Sequence, residues 1–208
     1  MVFQLASRRQ ALIGTLTVAG SLAIPRKSWG LDMAALNAPS NLGEMEMGSP
    51  TAKVTVIEYA SASCPHCAAF YKDTFKTLKR EYVDTGKIRF VFREFPHNQP
   101  ALAAFMLARC APKEKYFPLV DMFFEQQESW LASPLDGLRK ISQLAGFTQE
   151  AFDSCLKNEA IAKGVIGVRD KASAEFGVES IPTFFINGEK IKGNMSIDEM
   201  RKAIDPLL

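Results

Sequence analysis

The sequence has few histidines and no long apolar run near its start. Only two histidines and four cysteines occur among the 208 residues, so few side chains are available as zinc ligands. The apolar stretch over residues 10–24 has fifteen residues, whereas a helix needs about 20 apolar residues to cross a bilayer. The sequence also shows no internal repeat and no low-complexity tract. Hydrophobic residues make up 47% of the chain, enough for one well-filled core and at most a second small domain.

The first thirty residues have the pattern of a secretory signal peptide. Arg8 and Arg9 precede the apolar residues 10–24, and the small residues Ser28 and Gly30 flank a suitable cleavage point. The arginine pair fits the twin-arginine export route as well as the general route. An uncleaved membrane anchor is the alternative, which the shortness of the apolar stretch disfavours. We therefore expect a signal peptide that is cleaved on export to the periplasm.

The remaining residues, 31–208, carry nearly balanced charge. They include 21 basic and 23 acidic side chains, because the first thirty residues hold four of the basic ones and none of the acidic ones. The formal net charge of this part is −2, and it contains no basic patch that would indicate nucleic acid binding. All four cysteines lie here, and an exported protein can keep them as disulfides.

Periodicity predicts a strand, a helix, a strand, a helical block, and then a hairpin with a final helix. Residues 31–50 show no period and are expected to form a loose lead-in. Residues 53–60 and 88–95 read as strands around one helix, which is most simply a right-handed parallel unit. From residue 100 to 176 we find helical patterns and no strand. Asn187-Gly188 is a strong hairpin signal.

The motif with the clearest chemistry is Cys64-Pro65-His66-Cys67, which follows the first predicted strand and begins a helix. Two cysteines three positions apart on a first helical turn are close enough to form a disulfide. Unpaired N–H groups and the positive end of the helix dipole favour the thiolate of Cys64. Pro65 fits this turn because a missing N–H costs little there. Since the thiolate is the reactive form, the motif indicates a protein that exchanges disulfides.

A zinc half-site and a purely structural disulfide are the alternatives for this motif. Zinc needs four ligands in a structural site. Outside the motif only His97, Cys110 and Cys155 are obvious candidates, and they include no closely spaced pair. The spacing therefore favours redox chemistry over metal binding.

Three features in this order resemble the bacterial DsbA family of thiol:disulfide oxidoreductases. They are the motif at residues 64–67, the segment Ile181-Pro182-Thr183 before Phe-Phe-Ile-Asn-Gly, and the helical block between them. The resemblance covers about residues 45–207. It implies an α/β thioredoxin fold built from residues 51–99 and 177–208, with an inserted all-helical domain of residues 100–176.

The resemblance implies a role for each residue of the motif. Cys64 is the exposed, attacking thiol, and Cys67, one turn deeper, is the resolving sulfur. A charged His66 would further stabilise the thiolate of Cys64, and a stabilised reduced form makes the disulfide a stronger oxidant. The alternative for His66 is an exposed histidine without a function.

Pro182 is the second element of the site that the resemblance implies. In the family this proline is cis and lies against the cysteine pair, so that the backbone of Ile181 can pair with an extended substrate strand. An ordinary proline at the start of a strand is the alternative. Ile181 departs from the Val or Thr that is more frequent in the family and is the residue of cytosolic thioredoxins. This departure bears on the redox potential and on the choice of partner.

Glu58 and the two remaining cysteines complete the predicted set. Glu58 lies in an apolar strand, six positions before Cys64, where the family has a buried acid that can relay the proton of Cys67. The alternative is a glutamate facing the surface. With positions 64 and 67 paired locally, Cys110 and Cys155 remain, and a structural disulfide is expected. Free buried thiols or a second redox pair are the other interpretations.

The sequence thus predicts a periplasmic enzyme that donates its Cys64–Cys67 disulfide to reduced, unfolded exported proteins. By resemblance, a quinone-linked membrane oxidase of the DsbB type would reoxidise it. We expect a monomer that needs no cofactor. A reductase or isomerase on the same scaffold is the first alternative, and the shortness of residues 31–50 disfavours a dimerising isomerase. A thiol-based copper or zinc protein and a non-catalytic holdase are alternatives from other classes.

Overall fold

A five-stranded sheet forms the centre of the protein in the computed structural model, which describes residues 31–208. The predicted signal peptide lies outside these described residues. The strands lie side by side in the order β1-β3-β2-β4-β5. Their bounds are Met45–Gly48 for β1, Val54–Ala60 for β2, Ile88–Glu94 for β3, Thr183–Ile186 for β4 and Glu189–Lys192 for β5.

The pairing of the strands confirms the predicted parallel unit and the predicted hairpin. β2 and β3 run parallel, with Val54 opposite Ile88 and Ala60 opposite Glu94. β4 pairs antiparallel with both β2 and β5. The turn between β4 and β5 places Asn187 at φ 45° and Gly188 at φ 90°, left-handed conformations that these two residue types adopt readily.

The segment before β2 is more ordered than the loose lead-in that we predict for residues 31–50. It contains the helix α1 (Met33–Asn37), capped by the carboxylate of Asp32, and the strand β1, which pairs antiparallel with β3. The prediction was wrong here because β1 is stabilised by pairing with residues more than forty positions later in the chain. Local composition contains no signal for such pairing.

The helix after β2 is irregular. It starts as α2 (Pro65–Phe70) and continues through α3 (Lys76–Leu78), each of which is followed by a π-helical segment, residues 71–75 and 79–83. The spacing Ser196-x-x-Glu199 in the sequence predicts a capping box at the start of the last helix, and the structure contains it. The helices between β3 and β4 form the helical block that the sequence predicts, which we call the insertion, and α10 follows β5. Their bounds are Gln99–Cys110 (α4), Tyr116–Glu125 (α5), Gln127–Ala132 (α6), Pro134–Leu144 (α7), Gln149–Leu156 (α8), Glu159–Phe176 (α9) and Ile197–Ile204 (α10).

Aromatic side chains join the insertion to the sheet. The ring of Phe70 lies 4.7 Å from that of Phe184 in β4, and the ring of Tyr71 stacks on Phe124 in α5 at 4.1 Å. All four side chains are buried. Fully burying an aromatic side chain stabilises a fold by about 1.5–3 kcal/mol, so this cluster fixes the helix after Cys64 against both parts of the structure.

No helix within residues 31–208 combines the length and apolar character that crossing a bilayer requires.

Candidate active site

Cys64 is the N-cap residue of α2 and follows the end of β2 by four residues. Its backbone is extended, at φ −85° and ψ 121°, and its carbonyl accepts the first helical hydrogen bond, from the N–H of Ala68 at 3.1 Å. Pro65 occupies the first helical position. Cys64 keeps 7% of its surface exposed, whereas Cys67 is fully buried one turn further on. One thiol is therefore accessible to another protein, and the other is covered.

The surroundings drive the pKa values of the two thiols in opposite directions. Hydrogen bonding from the Cys67 thiol lowers the pKa of Cys64 to about 6, and the backbone N–H groups of Cys67 and His66 act in the same direction against the effect of burial. Burial is the main cause that raises the pKa of Cys67 well above its ordinary value, followed by the hydrogen bond to Cys64. The pair is thus arranged to carry its negative charge on Cys64.

A cis peptide bond lies against the Cys64 thiol, which is largely buried rather than exposed as the resemblance implies. The bond between Ile181 and Pro182 is cis, as the resemblance implies, and the Cys64 thiol donates to the carbonyl oxygen of Ile181 at 3.7 Å. The Pro182 carbonyl accepts a hydrogen bond from the N–H of Gly193 at 2.8 Å, and the Thr183 hydroxyl donates to the Ser180 carbonyl at 2.6 Å. These bonds fix the loop, so the backbone of Ile181 borders the reactive sulfur.

Glu58 is buried beneath the pair rather than facing the surface. It has no exposed surface, and neither carboxylate oxygen has a hydrogen-bond partner among the described residues. Burial raises the pKa of Glu58 well above its ordinary value, and the nearby Tyr71 hydroxyl offsets only part of this effect. Glu58 also contributes to raising the pKa of Cys67. The two groups therefore compete for protons within the protein interior.

His97 is the histidine whose side chain contributes to lowering the pKa of Cys64, although in the sequence it stands out only as a candidate metal ligand. His97 is exposed and contributes a charge that lowers the pKa of Cys64, while the contribution of His66 comes through its backbone N–H. His97 Nδ1 lies 2.8 Å from the hydroxyl of Ser61. In the same loop, the Ser63 hydroxyl donates to Asn98 at 2.9 Å. The position of His97, thirty residues after the motif, gives no hint of this contact.

Gln127 is a second residue of the site that the sequence does not reveal. Its buried amide nitrogen donates to the carbonyl oxygens of Ala62 at 2.8 Å and of Cys64 at 3.0 Å. Gln127 starts α6, so one side chain of the insertion holds the loop that carries the reactive cysteine.

Within residues 31–208, no three His, Cys, Asp or Glu side chains are grouped as metal ligands.

Known proteins share this architecture. A family model described as Thioredoxin matches residues 40–206. The solved structure of α-DsbA1 from Wolbachia pipientis is similar with a TM-score of 0.77 and 30% identity, and the match covers 83% of this chain and 94% of that one. The chain belongs to the DsbA-like branch of the thioredoxin family.

Curated relatives of this DsbA-like chain have related names. A Rickettsia bellii protein, provisionally named a protein-disulfide oxidoreductase, is 36% identical over 165 residues, which are 78% of this chain and 63% of that protein. Disulfide bond formation protein D of Bacillus subtilis is 25% identical over 183 residues, covering 83% of this chain and 80% of that protein. The chain thus spans less than two thirds of the length of the rickettsial relatives that it matches.

The second cysteine pair of this DsbA-like protein is remote from the first in sequence and lies in the insertion. Cys110, at the end of α4, and Cys155, in α8, form a disulfide with their Cα atoms 6.1 Å apart. Cys64 and Cys67 are both free thiols. Five of the predicted site residues lie together near the end of β2, namely Glu58, Cys64, Cys67, Ile181 and Pro182. The ring of His66 is exposed beside them.

Proposed function

We propose that this protein is a thiol:disulfide oxidoreductase that donates a Cys64–Cys67 disulfide to reduced, unfolded exported proteins. The observation that carries the proposal is the opposite direction of the two pKa shifts. A thiol whose pKa is lowered to about 6 is mostly thiolate at neutral pH, and its buried neighbour stays protonated. Stabilising the reduced form in this way makes the disulfide a stronger oxidant.

The reaction begins with the oxidised pair. A substrate thiolate attacks the sulfur of Cys64, a bond forms between these two sulfurs, and the Cys64–Cys67 bond breaks with its electron pair going to Cys67. Glu58, whose pKa is raised well above its ordinary value by burial, gives its proton to the Cys67 thiolate. Burial raises the pKa of the Cys67 thiol well above its ordinary value, so the Cys67 thiolate readily accepts the proton.

The second step releases the substrate. A second substrate thiolate attacks the substrate sulfur of the mixed disulfide, and Cys64 leaves as the thiolate that its surroundings stabilise. The substrate has then lost two electrons and gained a disulfide, and the protein holds two reduced cysteines. Attack on Cys64, which keeps 7% of its surface exposed, rather than on the fully buried Cys67 fixes the order of the steps.

The backbone beside Pro182 is suited to hold an extended polypeptide. The carbonyl of Ile181 lies close to Cys64 and, among residues 31–208, accepts a hydrogen bond only from its thiol, at 3.7 Å, so a substrate strand can replace that contact. Hydrogen bonding through the main chain tolerates many sequences, as an enzyme for diverse unfolded substrates requires. We assign Ile181 and Pro182 to substrate binding on this basis.

The location and the reoxidising partner are further parts of the proposal. The basic, apolar and small-residue pattern of residues 1–30 supports export to the periplasm, where disulfides persist. A membrane oxidase of the DsbB type, linked to quinone, would return the reduced pair to the disulfide. The similarity to α-DsbA1 of Wolbachia pipientis supports the proposal of such a partner.

The experiment is disulfide transfer to a reduced, unfolded model protein, followed by mass spectrometry of both proteins. The oxidised protein should lose one disulfide, at Cys64–Cys67, and the model protein should gain one. Cys67→Ser, mixed with the disulfide form of the model protein, should attack that disulfide through Cys64 and keep the resulting mixed disulfide, because no Cys67 thiol is present to resolve it. Cys64→Ser should reduce transfer to the uncatalysed rate. The double variant Cys110→Ser/Cys155→Ser is the matched control and should transfer at the wild-type rate per folded molecule.

The reduction potential separates the proposed donor from a reductase on the same scaffold. A Cys64–Cys67 potential more oxidising than that of glutathione supports donation. A potential near that of thioredoxin, together with rapid reduction of insulin by the reduced protein, would replace the proposal with a reductase.

A further inference from the structure

Four of the six buried side-chain oxygen or nitrogen atoms without a hydrogen-bond partner in residues 31–208 belong to one region. They are both carboxylate oxygens of Glu58, the hydroxyl of Tyr71 and Oδ1 of Asp121. An unpaired buried polar atom costs about 1–3 kcal/mol, and native proteins contain few. Such a concentration beside Cys67 calls for a functional explanation.

The side chains of Glu58, Tyr71 and Asp121 are arranged in this order from the core towards the surface. Tyr71 is buried, and the charges of Glu58 and of Asp121 both raise the pKa of its hydroxyl. The Tyr71 ring stacks on Phe124 at 4.1 Å. Asp121 precedes Phe124 by three positions in α5, so the two side chains share the helix face that covers Tyr71. Tyr71 therefore lies between the two carboxyl groups.

The outer end of this series opens into a pocket with about 60 Å³ of space, enough for water molecules. Its lining includes Tyr71 and Asp121 together with Lys76, Lys79 and Glu125. Lys76 and Glu125 are exposed and form an ion pair at 2.7 Å, which places the mouth of the pocket at the surface. The pocket thus connects Tyr71 and Asp121 with solvent.

We propose that Tyr71, Asp121 and water in this pocket form the route by which Glu58 exchanges protons with solvent. The inference rests on the proposed function, since it supplies the proton that the reaction consumes. After Glu58 has protonated the Cys67 thiolate, the Tyr71 hydroxyl gives its proton to the Glu58 carboxylate and at the same time accepts one from the carboxyl group of Asp121, so that no tyrosinate forms. Water bridges the gaps between these groups, which make no direct hydrogen bond, and Asp121 regains its proton from pocket water. One proton enters from solvent, and all three groups return to their starting state.

The charges around each group fit this direction of transfer. Burial, assisted by Glu125 and opposed by Lys79 and Lys76, raises the pKa of Asp121 to about 6, close to the value that suits proton exchange at neutral pH. Burial raises the pKa of Tyr71 well above its ordinary value, with further contributions from the charges of Glu58, Asp121, Tyr116 and Cys67, so the phenol remains neutral between transfers.

Tyr71 and Asp121 act through Glu58 and are positioning residues in this scheme. The test is the rate at which Glu58 regains its proton after the oxidised protein has passed its disulfide to a cysteine-containing peptide. It is followed by the infrared absorbance of the protonated Glu58 carboxyl group across the pH range around 6 in which Asp121 titrates. Asp121→Asn and Tyr71→Phe should each lower the rate by about tenfold at neutral pH and remove the dependence on the Asp121 titration. The loss is smaller than the 10²–10⁴-fold that direct acid–base groups contribute, because Glu58 remains.

Matched controls separate this effect from a loss of structure. Asp121→Glu should restore the pH profile. Asp153→Asn removes an exposed carboxylate from another helix of the insertion, and Tyr82→Phe removes a hydroxyl from the same irregular helix as Tyr71. Both should retain the wild-type rate and profile. Tyr71→Phe keeps the ring that stacks on Phe124, so it provides the test if Asp121→Asn does not fold.

The outcomes distinguish this inference from the proposed function. A wild-type protein that transfers disulfides, with Asp121→Asn and Tyr71→Phe variants in which Glu58 regains its proton with unchanged rate and pH profile, would overturn the proton route alone. A wild-type protein that transfers no disulfide at all would overturn the proposed function and the route with it.

Discussion

The two cysteine pairs of this protein contain the same atoms in two different environments. Cys110 and Cys155 are 45 positions apart and link two helices of the insertion. Cys64 and Cys67 are three positions apart at the start of a helix, with backbone N–H groups and the buried acid Glu58 around them. The difference teaches that the groups around the sulfurs, rather than burial alone, determine which pair is suited to exchange.

The largest expected difference between the pairs concerns stability. Breaking the Cys110–Cys155 bond with Cys110→Ser/Cys155→Ser frees a long loop in the unfolded chain and should lower the free energy of unfolding by about 4 kcal/mol. Reducing Cys64–Cys67 should instead raise the stability at neutral pH, because the folded state stabilises the Cys64 thiolate. Urea unfolding of each form measures both changes. Equal losses for both pairs would contradict the distinction.

A second prediction concerns Glu58, which belongs to the surroundings of the first pair only. Its raised folded-state pKa means that the folded protein keeps a proton which the unfolded chain releases above about pH 4.3. The free energy of unfolding should therefore fall by about 1.4 kcal/mol per pH unit above that value, until the folded-state pKa is reached.

Glu58→Gln should remove this part of the pH dependence while preserving the side-chain shape. The measurement is urea unfolding at several pH values on the oxidised protein, in which neither Cys64 nor Cys67 titrates. Asp121, with its pKa raised to about 6, adds a smaller fall in the same direction that Asp121→Asn should remove. An unchanged slope in Glu58→Gln would show that Glu58 is not held protonated in the interior.

The smallest predicted effect compares the two histidines near Cys64. His97→Ala removes the charge that lowers the pKa of Cys64, so the pKa should rise towards its ordinary value. The thiolate equilibrium should change by no more than about fivefold, since contributions between exposed charges are below about 1 kcal/mol. His66→Ala keeps the backbone N–H and should change it less. Alkylation rates of Cys64 against pH rank the two variants, and a larger effect of His66→Ala would restore the role that the sequence suggests.

The sequence predicts the features that depend on neighbouring residues. The parallel unit, the Asn187-Gly188 turn and the capping box at Ser196 all follow from local patterns, and each is found. The Cys64–Cys67 pair is likewise local. It is one of the features that resemble the DsbA family, and that resemblance implies the cis bond found before Pro182.

The sequence does not predict the contacts that link distant segments. Gln127 reaches the Cys64 carbonyl across more than sixty positions, and Asp121 faces Tyr71 across fifty. The sequence does not predict strand β1, because its partner strand β3 lies far along the chain. Such contacts arise from the packing of the insertion on the sheet, for which a single sequence contains no periodic signal.

The most direct test is a titration of the thiolate of Cys64, followed by ultraviolet absorbance in protein whose Cys64–Cys67 pair is reduced and whose Cys110–Cys155 bond is intact. Cys64→Ser provides the baseline. We predict a midpoint of about pH 6 that is absent from the baseline. A midpoint near 8.5, the value of an ordinary cysteine, would contradict a helix start that favours the thiolate, and with it a protein built to donate disulfides.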